Sequence, residues 1–273
     1  MRVELDDGGH VDQVRTIIGR SLGMRARKIA GEVRAVFDAD YYRRTNPDVA
    51  ESGADPLAHY LRTGWAEGRN PSPLFDNDWY FEQNPDVAEA GLNPLLHYLS
   101  AGWKEGRNPS PLFDGAWYLE QYPDVAEAGA NPLVHYLTAG VEEGRDPNPL
   151  FDADWYLAQH EKARASGANP LAHYAEFGAA EGLQPHPLFD GKWYLEQYAD
   201  VAEEGLNPLA HYLARGSASK AGRRRLRLRG RLRCLATRSC HGLNRLRRFM
   251  RANRLCRSLY RRIKIWITHC GAY

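Results

Sequence analysis

Residues 113–150 read FDGAWYLEQYPDVAEAGANPLVHYLTAGVEEGRDPNPL, and this stretch decides the fold. Asp114 stands where a helix N-cap belongs, with a side-chain oxygen able to accept first-turn amides. GAWYLEQY follows as a short helix. Pro123 stops it and suits the first turn of the next, because a proline ring fixes φ and its missing N–H is not needed there. PDVAEA then makes a second short helix, closed by Gly129 in the left-handed conformation. Asn131-Pro132 is another cap-plus-proline start. The longest helix is expected over LVHYLTAGVEEG, ended by Gly144, and RDPNP leads to the next Phe. Helices this short are marginal in isolation, so packing between units must hold them.

The same 38 residues recur. Phe37, Phe75, Phe113, Phe151 and Phe189 are evenly spaced, and each is followed by Asp38, Asp76, Asp114, Asp152 or Asp190. Aromatic pairs come four residues after each Phe: Tyr41-Tyr42, Trp79-Tyr80, Trp117-Tyr118, Trp155-Tyr156 and Trp193-Tyr194. His-Tyr pairs begin at His59, His97, His135, His173 and His211. The tetratricopeptide unit is a near rival, but its period is about 34 residues and its signature is missing. The expected fold class is all-α: tandem short-helix repeats, solenoid-like, with an N-terminal capping helix and a basic amphipathic C-terminal helix. The expected parts are 1–36, the capping helix; 37–216, the five repeats; and 217–273, the basic tail. Val14, Ile17, Ile18, Leu22, Ile29, Val33 and Val36 form the stripe by which the first helix would cover the open core of repeat 1. Two units deviate. The fourth carries His160-Glu161-Lys162-Ala163 in place of the PDV run and loses its proline start, and the fifth lacks the EGRxPxP closure.

The net charge of +2 hides an asymmetry. Residues 217–273 hold 18 of the 36 Lys and Arg and none of the 34 Asp and Glu, so the body is near −16 and the tail near +18. Cys234, Cys240, Cys256 and Cys270 all lie in the tail, with spacings unlike those of structural zinc sites, and the repeats need no disulfides. No stretch reaches the roughly 18 apolar residues of a membrane span, and MRVELDDGGHVDQVRTIIGR has no apolar signal core. These features point to a reduced, cytoplasmic protein. Leu246, Phe249, Asn253, Cys256, Tyr260, Ile263, Ile267 and Cys270 fall on one helical stripe, with Arg247, Arg248, Arg251, Arg254, Arg261 and Arg262 largely opposite. With Trp266 near the end, this pattern is expected to bind an anionic membrane surface at the inner membrane. Docking onto the acidic repeats and nucleic-acid binding through the same arginines are the alternatives.

Candidate chemistry in the repeats is sparse. Asp38-Ala39-Asp40, Asp76-Asn77-Asp78 and Asp152-Ala153-Asp154 match DxD, a pattern of sugar-nucleotide sites, but Asp114-Gly115-Ala116 and Asp190-Gly191-Lys192 break it, which favours capping. The His-Tyr pairs should lie a helix layer apart, about 10 Å, too far to share a metal. Phosphate-loop, dinucleotide, zinc-protease and serine-hydrolase motifs are not found. Neither a catalytic residue nor a cofactor or metal is expected.

The FDxxWYLxxYPDVAxAGxNPLxHYLxxGxxEGRxPxP unit over residues 37–216 resembles repeats attached to bacterial glycosyltransferases and related cell-surface polysaccharide proteins. Similar units accompany some secreted calcium-binding repeat proteins. The resemblance implies a non-catalytic binding or scaffold module beside surface-polysaccharide synthesis, its repeats meeting a protein partner or a glycosyltransferase domain. The alternatives are a nucleic-acid-binding protein acting through its tail and a glycosyltransferase truncated of its catalytic domain.

Overall fold

The computed structural model of the protein describes residues 23–218. Among them the regular structure is helical, with isolated bridges such as Ser72 to Phe75 where the connectors turn. Each unit follows one plan. In repeat 3 a first helix, Gly115–Gln121, is capped by Asp114, whose carboxylate accepts from the Trp117 amide at 3.0 Å. A second, Pro123–Glu127, begins on its proline, and Gly129 follows at φ 58°. The third segment begins at Pro132 under the Asn131 cap, which accepts from the amides of Leu133 and Val134.

That third segment is not the single α-helix expected. Pro132–His135 is α-helical, Tyr136–Gly140 is a π-turn, and the chain then turns through Gly144. Repeats 1, 2 and 4 widen in the same way at Tyr60–Gly64, Tyr98–Gly102 and Tyr174–Gly178. The second helix of repeat 4 survives without its proline, as Glu161–Ser166. His160 packs against Tyr156 with ring centroids 4.7 Å apart and planes tilted by 59°, as Tyr122 packs against Tyr118 one unit earlier.

Each connector returns to the start of its own unit. The Asp38 amide donates to the Pro71 carbonyl at 3.0 Å, and the pairs Asp76–Pro109, Asp114–Pro147 and Asp152–Pro185 repeat the bond. A unit is thereby closed before the next begins, and successive Phe residues enter one continuous core. Neighbouring units are stitched through tyrosines: Tyr98 donates to Asn131 Oδ1 and Tyr136 to Asn169 Oδ1, both at 3.4 Å.

The array curls back on itself. Arg44, at the end of the first helix of repeat 1, grips both oxygens of Glu176 in repeat 4 at 2.7–3.0 Å. Repeat 4 therefore lies beside repeat 1, three units on. The N-terminal helix, α1, spans Gly23–Val36. Ile29, Val33 and Val36 are buried, as their spacing required. Its position corrects the capping expectation: α1 packs chiefly against the third segments of repeats 2 and 3. Its buried stripe meets those two units rather than the open core of repeat 1 alone. Residues 10–22, the first half of the expected helix, lie outside the described residues, as does the tail from residue 219.

A candidate binding groove at repeat 4

The recurrent polar residues are placed first, because they were the candidates for chemistry. Each first-position Asp is an N-cap: Asp38, Asp76, Asp114, Asp152 and Asp190 accept amides of their own first turns. The DxD pattern is thus explained by capping. Each His pairs within its own unit. Tyr42, Tyr80, Tyr118, Tyr156 and Tyr194 meet Nδ1 of His59, His97, His135, His173 and His211 at 2.8–3.0 Å. Burial pushes these phenols up, to about 12 at Tyr42, so near neutral pH each holds its proton. Burial also lowers His97. Among the described residues no group of three His, Cys, Asp or Glu could hold a metal. The arrangement suits fastening of the first helix to the third rather than proton transfer.

The aromatic pairs divide. The second member is buried in all five units, whereas Trp79, Trp117 and Trp155 are half-exposed and Trp193 is exposed. The second member alone is a core residue in every unit. Adjacent helical residues point about 100° apart, so the Trp lies at the rim of the core.

At that rim the units differ. In repeats 1 to 3 an arginine spans the surface between the connector and the second helix. Arg69 binds Asp48 at 2.8 Å and Glu67 at 2.6 Å; Arg107 binds Asp86 and Glu105, both at 2.7 Å; Arg145 binds Asp124 at 2.7 Å and Glu143. The Arg145 guanidinium also lies 4.8 Å over the Tyr122 ring. Repeat 4 keeps the connector glutamate as Glu181, but Leu183 replaces the arginine and Lys162 the aspartate.

A groove of about 340 Å³ opens where the clamp would lie, lined by Trp155, Gln159, His160, Glu181, Gly182, Leu183, Gln184 and Lys192. Trp155 and Leu183 form its apolar part. His160 is fixed twice, by its ring contact with Trp155 at 6.3 Å and by Nε2 against the Gln184 carbonyl at 3.1 Å. Lys192 reaches in from repeat 5, its stem crossing the Gly182 backbone, where an added Cβ would meet Cε at 2.7 Å. The two deviations were visible in the sequence, but that they fall on one clamp was not, because positions 162 and 183 meet only in the folded unit.

The residues expected to bind an anionic surface, Arg247, Arg248, Arg251, Arg254, Arg261, Arg262 and Trp266, lie outside the described residues. Among the described residues no helix is long and apolar enough to cross a membrane. No protein-family model, no curated protein and no solved structure matches the chain.

Proposed function

We propose that this chain is a non-catalytic helical-repeat module that works beside bacterial surface-polysaccharide glycosyltransferases, held at the inner face of the membrane by its basic tail. The observation that carries the reading is the use of the recurrent Asp, His and Tyr side chains as caps and fasteners within each unit. Residues engaged in this way support recognition by surface shape rather than turnover. The sequence unit, with its resemblance to glycosyltransferase-attached repeats, supplies the context, and the +18 tail supplies the attraction to anionic lipid.

Two measurements test the proposal. Purified full-length protein, incubated with UDP-glucose and related sugar nucleotides, is expected to release nucleoside diphosphate no faster than buffer. Turnover that disappears in Asp152→Asn would make the chain an enzyme and end the reading. For the tail, full-length protein is expected to co-sediment with phosphatidylserine-containing vesicles, and Ile263→Ser with Ile267→Ser is expected to release it. A chain that ignores vesicles but binds RNA equally well with and without those substitutions belongs to the nucleic-acid alternative, since RNA gives the apolar stripe nothing to bury.

A further inference from the structure

We propose that the groove between repeats 4 and 5 is a saccharide-binding site that receives one pyranose ring against Trp155. The proposal deepens the polysaccharide reading above and rests on it for the choice of ligand class, while the site itself rests on geometry.

Repeats that share one plan reveal function where one unit breaks it, because a broken local rule needs a compensating gain. Repeat 4 breaks the plan twice at one place. Leu183 and Lys162 stand at the arginine and aspartate positions together, while Glu181, the counterpart of Glu67, Glu105 and Glu143, is kept and lines the groove. What replaces it is a recess with an aromatic wall and a polar rim. Shallow sites with an apolar surface and a few convergent polar groups are where small ligands orient.

The lining chemistry narrows the ligand. Glu181 is the one carboxylate in the lining, which leaves a divalent cation short of ligands. Lys192 is its one ammonium and faces the same recess as Glu181, so neither an anion nor a cation meets a field of opposite sign. A neutral molecule is favoured, with one apolar face and hydroxyls around its edge. A pyranose has this form: axial C–H bonds on one face can lie on the Trp155 indole and Leu183, and ring hydroxyls can reach Gln159, Glu181, Gln184 and Lys192. Carboxylate, amide and ammonium together offer acceptors and donors, which a sugar hydroxyl uses in both senses. Trp155 is half-exposed, so part of its ring is reachable, and an edge-to-face contact with His160 at 6.3 Å positions it.

The test is a repair of the broken rule. Leu183→Arg with Lys162→Asp restores the residues of repeats 1 to 3 and should refill the groove with a clamp the fold already accepts three times. Full-length protein is titrated with methyl glycosides of glucose, galactose, mannose and N-acetylglucosamine and with their oligomers, read by saturation-transfer NMR and tryptophan fluorescence. At least one is expected to bind the native chain. In the repaired variant its dissociation constant is expected to rise roughly tenfold or more, with a melting temperature no lower than native. Trp155→Phe should weaken binding less than Trp155→Ala, with the helical circular dichroism signal intact. Binding to the native chain that is unchanged in the repaired variant would overturn the groove while leaving a glycan-recognising module elsewhere on the array. If none of the probes binds, the saccharide assignment is overturned, and the scaffold reading then stands or falls on its own vesicle and turnover measurements.

Discussion

Gly102 sits against the hydroxyl of Tyr80, and a Cβ added there would overlap that oxygen. The same contact recurs between Gly64 and Tyr42, Gly140 and Tyr118, and Gly178 and Tyr156. The π-turn brings the glycine to the phenol, and the phenol completes its bond to His97 in the same space. Gly102→Ala is therefore expected to break the Tyr80–His97 fastener and to cost about 2–3 kcal/mol, by overpacking and a lost buried hydrogen bond, measured by urea unfolding. His186 gives a pH dependence. It occupies the position held by Ser72, Ser110 and Asn148 in earlier units, and its Nδ1 accepts the Leu188 amide at 3.0 Å. Burial lowers its pKa to about 4. The folded state thus favours neutral imidazole, while the unfolded chain takes up a proton near pH 6.5. Its stability is full above about pH 6.5 and is lost as pH falls from there toward 4, by on the order of 2–3 kcal/mol. His186→Asn, the residue of repeat 3, is expected to flatten the stability profile across that window.

At the scale of the element, three short helices per unit hold because each end is satisfied locally: Asp or Asn caps at the start, proline in the first turn, glycine at the close. Repeat 4 separates what is necessary from what is customary. Its second helix forms with Glu161 in place of proline, so packing of Ala163 into the core outweighs the missing preorganisation. The arginine clamp has a similar standing. The Asp86 side chain is largely exposed and that of Arg107 one-fifth exposed, and exposed ion pairs contribute little. Arg107→Ala is expected to lower stability by no more than about 1 kcal/mol, while opening at repeat 2 a recess like that of repeat 4. Thermal melting measures the first effect. A loss several times larger would show that the clamp is required for the fold and that repeat 4 has a separate substitute for it.

At the scale of the molecule, α1 packs against two repeats at once. The Arg44–Glu176 contact closes repeat 1 onto repeat 4, and Val33 is fully buried among the third segments. Leu96 and Leu99 of repeat 2, a unit that α1 packs against, are buried in the same core. α1 is thus part of the core and not an accessory. Val33→Asp is expected to cost roughly 3–5 kcal/mol, because it buries a carboxylate without a partner, and to lower the denaturant midpoint of the whole array in one transition. A variant that lost only the α1 signal, with the repeats melting as before, would show that the array holds without it.

Periodicity, caps and punctuation are local, and they were legible along the chain. The 38-residue spacing gave the units, Asp114 and Asn131 gave the helix starts, Pro123 and Gly129 gave the breaks, and the structure has each of them. These features depend on neighbours within a few residues, whose influence on the backbone is the same in any copy. What required the tertiary structure depends on residues far apart in sequence. The π-turn answers to a tyrosine in another helix of the same unit. The place of α1 depends on its contacts with repeats 2 and 3, which begin some forty residues and more further along the chain. The groove at repeat 4 is lined by Leu183, whose arginine counterparts in repeats 1 to 3 reach an aspartate on the second helix across the folded surface, a relation that no local stretch of sequence carries.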